Sequence, residues 1–356
     1  MKRVVLGMSG GVDSSVAAYL LKQEGYEVIG VSLLLFETRG RVNPRTCCSL
    51  EAVRSAEETA RLLGIRHRSI NARDEFIKWV IEPFVEGYLK GITPNPCVLC
   101  NRYIKFPILE QIATEEKAQF ISTGHYAKVI EMDGRSLLAK ASDSAKDQSY
   151  FLYVLTPESL SRILFPLGYY KKEDIRSIAR ELRLPSAYRV ESVEICFIGE
   201  EGYASFIKEL APEAERPGPI FDHEGKQIGT HRGIFHFTMG QRRGINISHT
   251  EPLYVIRISP SKNALYVGPR QRAFRQDVLV RGINWITDPP ERVTAKVRSM
   301  MKDAPARLLD IKGDSCLLRF DEPQWAPAPG QSAVFYNQDL VVGGGIIVEE
   351  EDGLDS

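Results

Sequence analysis

No net charge marks this chain: 46 Lys and Arg stand against 46 Asp and Glu in 356 residues. That balance excludes a globally basic nucleic-acid binder, so any contact with RNA must come from local basic patches. No leader or anchor is legible either. Lys2-Arg3 is followed by a handful of apolar residues and then Gly and Ser, too short for a secretory signal, and no later run approaches a membrane span. The expectation is a cytoplasmic protein with no membrane partner. Cysteine is sparse: Cys47, Cys48, Cys97, Cys100, Cys196 and Cys316 are all there is. In a reducing compartment these are thiols available for chemistry or metal rather than structural bridges. Cys97 and Cys100 form a C-x-x-C without a second one, so a four-thiolate zinc site lacks half its ligands. No G-x-x-x-x-G-K-[ST] occurs, which removes the lysine that transfer of a γ-phosphoryl group requires. Internal repeats and low-complexity segments are also missing, and the length allows two or three domains.

What is present begins at Ser9-Gly10-Gly11-Val12-Asp13-Ser14-Ser15, between the apolar run Val4 to Met8 and the helix-forming Val16-Ala17-Ala18-Tyr19-Leu20-Leu21. A strand empties into a glycine-serine turn that opens a helix, and the orphan N–H groups of a first helical turn hold anions. Gly10 and Gly11 let the backbone approach a phosphate, while Ser9, Ser14 and Ser15 offer hydroxyl donors. Asp13 stands where a carboxylate binds Mg²⁺ or accepts helix N–H bonds.

The first two hundred residues alternate apolar strands with amphipathic helices, the pattern of a parallel sheet covered on both faces. Strands are expected at Val4–Met8, Glu27–Leu35, Arg66–Asn71 and Phe120–Thr123. A helix is expected at Leu50–Leu63, with Ala52, Val53, Ala56, Ala60 and Leu63 on one side. The implied fold is α/β, a Rossmann-like open parallel sheet with its ligand at the C-terminal strand ends. A Pro-rich stretch at 211–218 reads as a linker into a small turn-rich central domain. Short alternating strands at Val278–Trp285, Arg292–Met300, Arg307–Ile311, Cys316–Asp321, Ser332–Tyr336 and Leu340–Val348 then suggest a C-terminal β-barrel. Domains are accordingly placed at 1–205, 206–275 and 276–356.

Thr93-Pro94-Asn95-Pro96-Cys97-Val98-Leu99-Cys100 reads as a helix start, with Asn95 as N-cap and Pro96 at the first helical position. Cys97 and Cys100 then share the first turn and one face, where a helix N-terminus favours thiolate. Nucleophiles, half a zinc site and simple packing all fit that spacing. Cys196, in the apolar Glu194-Ile195-Cys196-Phe197-Ile198, reads by itself as a buried strand cysteine. Gly240-Gln241-Arg242-Arg243-Gly244 is a basic, glycine-flanked loop suited to a phosphate backbone, and Lys296, Arg298, Lys302 and Arg307 add a second basic stripe. Cys316 reads as core.

The loop resembles the SGGxDSS pyrophosphate loop of ATP pyrophosphatases, which hold ATP while a substrate oxygen is joined to AMP. GMSGGVDSS (Gly7 to Ser15), TPNPCVLCNRYIKF (Thr93 to Phe106), STGHYAK (Ser122 to Lys128), KDQSYFL (Lys146 to Leu152), EICFIG (Glu194 to Gly199), GQRRG (Gly240 to Gly244) and PGQSAVFY (Pro329 to Tyr336) stand in the order seen in the tRNA-specific 2-thiouridylases. The resemblance covers nearly the whole chain. It implies an ATP-dependent enzyme that adenylates C2–O of a wobble uridine, in tRNAs for Lys, Glu and Gln, and replaces that oxygen with sulfur. Cys196 is then the persulfide carrier and Cys100 the nucleophile that releases its sulfur. A transient disulfide between them is expected, with sulfur supplied by a cysteine desulfurase or a relay protein.

Further roles follow from the same likeness. Gly7, Met8, Ser9, Gly10, Gly11, Val12, Asp13, Ser14 and Ser15 would hold ATP with Mg²⁺, and Leu33, Gly124 and His125 would lie beside the adenosine. His125 also suits a plain packing role. Asn95, Pro96 and Cys97 would lie beside the flipped uridine, and Lys146, Asp147 and Gln148 would meet tRNA nearby. Arg242, Arg243, Arg298 and Ser299 are further tRNA candidates; an Arg-Tyr pair is usual at the last two positions, so aromatic stacking is lost here. Many members carry Asp where Cys97 stands. Cys97, Cys100 and Cys196 therefore leave a second carrier open, a 4Fe-4S cluster on three thiolates. An amide-forming adenylating ligase would share the loop but have no use for Cys100 and Cys196.

Overall fold

The computed structural model describes residues 1–35, 50–189 and 195–349. It divides into two compact units, the first made of Met1–Val80, Pro96–Ile198 and Asp339–Val341, the second of Ile81–Asn95, Gly199–Gln338 and the chain from Val342 onward. Cys47 and Cys48 lie outside the described residues.

In the first unit, strands β1 (Arg3–Gly7), β2 (Glu27–Leu34), β3 (Arg66–Asn71) and β4 (Phe120–Thr123) and the short strand Ile163–Leu164 form one sheet. Their order is β3-β2-β1-β4 and then 163–164, with every pairing parallel. The chain leaves β1 through helix α1 (Val12–Gln23) to build one side of the sheet, and returns later to build the other. The C-terminal end of β1 is thus a topological switch point, where open α/β sheets bind ligands. Val4, Val5 and Leu6 are fully buried, as expected for a strand covered on both faces. Helix α2 (Leu50–Leu63) turns the expected side inward: Ala52, Val53, Ala56, Ala60 and Leu63 are all buried. A hairpin of Lys128–Met132 and Arg135–Ala139 completes this unit, with Leu340 paired to Ala139.

The second unit contains two sheets. Tyr254–Ser259, Ala264–Gly268, Gly218–Phe221 and Gln227–His231 lie side by side in that order, around Val255, Leu265 and Val267. Six strands, Phe274–Trp285, Arg292–Lys296, Ala304–Lys312, Ser315–Trp325, Ser332–Asn337 and Leu340–Val348, make an antiparallel barrel. It closes because the long Phe274–Trp285 strand pairs with both Ser315–Trp325 and Leu340–Val348. Period-two alternation sends Cys316, Leu318 and Phe320 into its core, and burial pushes the Cys316 thiol up to about 12. The stretch at 211–218 is more than a linker. Ala211 is buried, Pro212–Ala214 makes a 3₁₀ turn and Gly218 already begins a strand. Among the described residues, no helix is long and apolar enough to cross a membrane.

Candidate active site

The loop after β1 is built for close approach. Gly10 has φ +71°, and a Cβ there would lie 1.9 Å from the Ala52 carbonyl oxygen, so helix α2 sits directly behind the loop. Ser55 of α2 donates its hydroxyl to the Gly10 carbonyl at 3.1 Å, fixing that peptide. Gly11 precedes α1 with extended backbone and, having no side chain, does not itself cap the first turn. The N–H groups at that end carry the positive end of the helix dipole. A Cβ on Gly124, just beyond β4, would lie 2.8 Å from the Ser14 nitrogen, so the end of β4 packs against the same turn.

The serines divide their work. Ser9 is exposed, whereas Ser14 and Ser15 are buried and donate their hydroxyls to the Gly11 carbonyl at 3.2 and 2.9 Å. The Ser9 N–H donates to Ser14 Oγ at 3.1 Å. Two of the three expected donors therefore shape the loop. Asp13 differs from expectation as well. Its carboxylate accepts from Lys172 Nζ at 2.7 and 2.8 Å and from Tyr126 Oη at 2.8 Å, so it is engaged by protein donors rather than offered to Mg²⁺ or to helix N–H groups. Direct ligation of a metal by Asp13 does not fit this arrangement.

Leu33 is half-buried near the C-terminal end of β2, in register with Ile70. The His125 Nδ1 lies 2.7 Å from Thr123 Oγ1, its Nε2 lies 3.5 Å from Lys105 Nζ, and its ring stacks on Phe106. Burial, and then the Lys105 charge, hold its pKa well below the usual histidine value, so it is neutral. This is the geometry of a packed histidine beside the loop.

The helix Pro96–Cys100 starts where expected and runs into a wider π-helical turn, Asn101–Lys105, a feature common at functional sites. Exposure separates its two thiols: Cys97 is exposed and Cys100 buried, so they do not present one common face to solvent. Asn101 donates Nδ2–H to the Phe151 carbonyl at 3.0 Å, tying the Cys100 segment to the turn that follows Lys146-Asp147-Gln148. In that run Asp147 accepts from the Ala141 and Ser149 N–H groups, and Gln148 Oε1 accepts from the Tyr126 N–H. Lys146 is half-buried on the same loop.

Cys196 lies in a turn rather than a strand, closed by the Ile198 N–H donating to the Ile195 carbonyl at 3.0 Å, and is half-buried. Its neighbours do the anchoring. Phe197 and Ile198 are buried, and Phe197 meets Phe76 edge-on at 5.7 Å. Among the described residues, no group of three or more His, Cys, Asp or Glu side chains is placed to hold a metal ion. Cys97, Cys100 and Cys196 as they stand are therefore not a three-thiolate cluster site.

In the second unit Asn95 is buried, and the PGQ motif holds the strap just before it. The Thr93 N–H donates to the Pro329 carbonyl at 2.8 Å, and Gln331 Nε2 donates to the Thr93 carbonyl at 3.2 Å. Arg242 and Arg243 are exposed on a turn whose ends are held by Gln241, which donates to the His236 and Arg243 carbonyls at 3.1 and 2.9 Å. Arg298 is committed internally, donating to the Met239 and Ala326 carbonyls at 2.9 and 2.7 Å, while Ser299 is half-buried beside it.

Sequence reasoning missed Tyr126, Lys172 and Arg189, whose Nη1 lies 3.4 Å from the Gly10 carbonyl oxygen. Lys172 sits in Lys171-Lys172-Glu173-Asp174, which looks like any solvated helix start.

Three family models match consecutive parts of the chain. A tRNA methyl transferase HUP domain covers 2–200, a tRNA methyl transferase PRC-barrel domain 204–269, and an aminomethyltransferase β-barrel domain 275–347. Whole-chain relatives carry a different activity in their names. The tRNA-specific 2-thiouridylase MnmA 2 of Thermoanaerobacter pseudethanolicus is 46% identical over 354 residues, 97% of either chain. The MnmA of Clostridium perfringens is 44% identical over 352 residues, 97% of this chain and 98% of that one. A 4-thiouridine synthetase solved with RNA and ATP aligns with 60% of this chain and 51% of its own at 20% identity, with a TM-score of 0.37, too slight a likeness to argue from. Likeness at this identity along nearly the whole chain places it in one family: the chain belongs to the tRNA-specific 2-thiouridylases.

Proposed function

We propose that this chain is an ATP-dependent tRNA-uridine 2-sulfurtransferase acting on the wobble uridine of tRNAs for Lys, Glu and Gln, in the cytoplasm. The observation that carries the reading is that one compact unit contains both a phosphate-type loop at the switch point of a parallel sheet and the two cysteines, Cys100 and Cys196. An amide-forming ligase would leave those thiols without a task.

ATP enters as its Mg²⁺ complex, with the metal carried by the nucleotide. The loop Gly7 to Ser15 receives the pyrophosphate on the N–H groups of α1, and Leu33, Gly124 and His125 border the adenosine. The uridine C2 oxygen attacks the α-phosphorus; the bond from that phosphorus to the bridging oxygen breaks, and pyrophosphate leaves. C2 now carries AMP as leaving group in place of oxide. The terminal sulfur of a Cys196 persulfide attacks C2, the C2–O bond breaks and AMP departs with that oxygen. Cys100 thiolate then attacks the Cys196 sulfur, which releases the 2-thio group and leaves a Cys100–Cys196 disulfide. A thiol reductant reopens it with two electrons, and a sulfane-sulfur donor, a desulfurase or relay protein, recharges Cys196.

Asn95, Pro96 and Cys97 flank the flipped base, Lys146, Asp147 and Gln148 meet the RNA beside it, and Arg242, Arg243 and Ser299 serve the rest of the tRNA, while Arg298, committed to the Met239 and Ala326 carbonyls, holds that region in shape. Domain limits at 1–205, 206–275 and 276–356 fit this division of labour. The persulfide is preferred to a cluster because the three thiols are not gathered as a ligand set.

Incubation with ATP, Mg²⁺, a persulfide donor and unmodified tRNA, followed by a mercury-containing gel, tests the reading. A retarded, ATP-dependent band is expected from the wild type and none from Cys100→Ser or Cys196→Ser. A wild type that gives no such band, aerobically and anaerobically, overturns it. Stoichiometric iron in anaerobic protein, together with activity lost on Cys97→Ser, would replace the persulfide by the cluster.

A further inference from the structure

The phosphate loop lacks a lysine of its own and even carries a carboxylate, Asp13, at the second position of α1. Left alone, that charge would repel the phosphates the loop is meant to receive. The compensating cation comes from a distant part of the sequence. Lys172, first residue of the helix Lys172–Glu181, sets its ammonium 2.7 and 2.8 Å from the two Asp13 oxygens. Tyr126 Oη donates to the same carboxylate at 2.8 Å, and the ammonium also lies 5.6 Å from the Tyr126 ring centre.

Lys172 is 6% exposed, and among the described residues it is the sole buried Lys, Arg, Asp or Glu. A lysine so deeply placed persists only when its charge is paired. Its own position is fixed by its N–H, which donates to Asp143 Oδ2 at 3.0 Å. Arg189, later in the same stretch, reaches the Gly10 carbonyl at 3.4 Å. The cradle's counter-charge is thus supplied by residues 172–189 rather than by the loop.

We propose that Lys172 is the charge-positioning residue of the nucleotide site. It neutralises Asp13 and holds the first turn of α1 so that the loop's N–H groups donate to the pyrophosphate oxygens, without itself touching the phosphates. This rests on the loop binding ATP, as proposed above.

A double-mutant comparison tests it, with Mg²⁺–ATP affinity measured by calorimetry. Lys172→Met is expected to weaken binding about tenfold or more in the wild-type background, where it leaves the half-buried Asp13 carboxylate without its cation beside the phosphates. In the Asp13→Asn background the same change should cost less than about threefold, because no charge remains to be neutralised. Unchanged affinity in Lys172→Met, or a tenfold loss in both backgrounds, overturns the role. Should Lys172→Met fail to fold, Asp13→Asn against Asp13→Asn with Lys172→Met decides by itself: a loss below threefold supports the role and a tenfold loss refutes it. A wild type that binds no ATP would instead overturn the reading of the loop, which keeps the two failures apart.

Discussion

Gly10 has no room for a side chain: a Cβ would fall 1.9 Å from the Ala52 carbonyl, at a φ of +71° that L-residues rarely adopt. Gly10→Ala must therefore push α2 and the loop apart. We expect it to abolish detectable ATP binding in calorimetry, while Gly11→Ala, whose Cβ would meet only Ser9 Oγ at 3.5 Å among the described residues, folds normally. His236 gives a pH-dependent prediction. Its side chain is 8% exposed, neither ring nitrogen has a hydrogen-bond partner among the described residues, and burial, then Arg232, lower its pKa to about 4 against the opposing pull of Glu215. The unfolded chain takes up that proton near pH 6.5 and the folded chain only near 4. Stability is thus fully present above about pH 6.5 and falls as the pH drops toward 4, by up to about 3 kcal/mol. Thermal unfolding between pH 7 and 4.5 should show this loss, and His236→Gln should flatten it. At this scale the glycines were legible because close approach leaves only one residue type. Lys172 and Arg298 were not, since a buried, paired cation and a solvated one have the same letter and the same neighbours in sequence.

Elements were more legible than individual contacts. Helix α2 and strand β4 fall at the residues that periodicity assigns, since a largely buried strand and a helix with one apolar side leave clear patterns, and β3, an edge strand with no fully buried residue, also falls at its expected residues. The barrel strands Ala304–Lys312 and Ser315–Trp325 outrun their apolar cores, because backbone pairing continues through polar residues at their ends. The turn at Cys196 was misread as a strand for the opposite reason: Phe197 and Ile198 are apolar in order to anchor a turn, not to fill a sheet. The two basic elements also separate here. Arg242→Ala with Arg243→Ala, on an exposed turn, should weaken every cognate tRNA alike and flatten the salt dependence of binding, by a slope of about one per lost phosphate contact. Arg298→Ala should instead lower the melting temperature, since it removes donors from two carbonyls at 2.9 and 2.7 Å. The reverse assignment of effects would exchange their roles.

For the whole molecule, the proposed reaction is a matter of order: oxygen is activated first and sulfur arrives second. In the proposed reaction the phosphate loop makes AMP the leaving group, and Cys196 and Cys100 supply and release the atom that displaces it. The alternation of strands and helices, then of short strands, made the sequence of architectures readable, whereas the pairing of Lys172 with Asp13, 159 positions apart, could only come from the folded chain. The most direct measurement follows one atom. Wobble uridine labelled with ¹⁸O at C2, turned over with unlabelled ATP, should yield AMP bearing a single ¹⁸O and unlabelled pyrophosphate. AMP free of label, with 2-thiouridine nonetheless formed, would contradict the account.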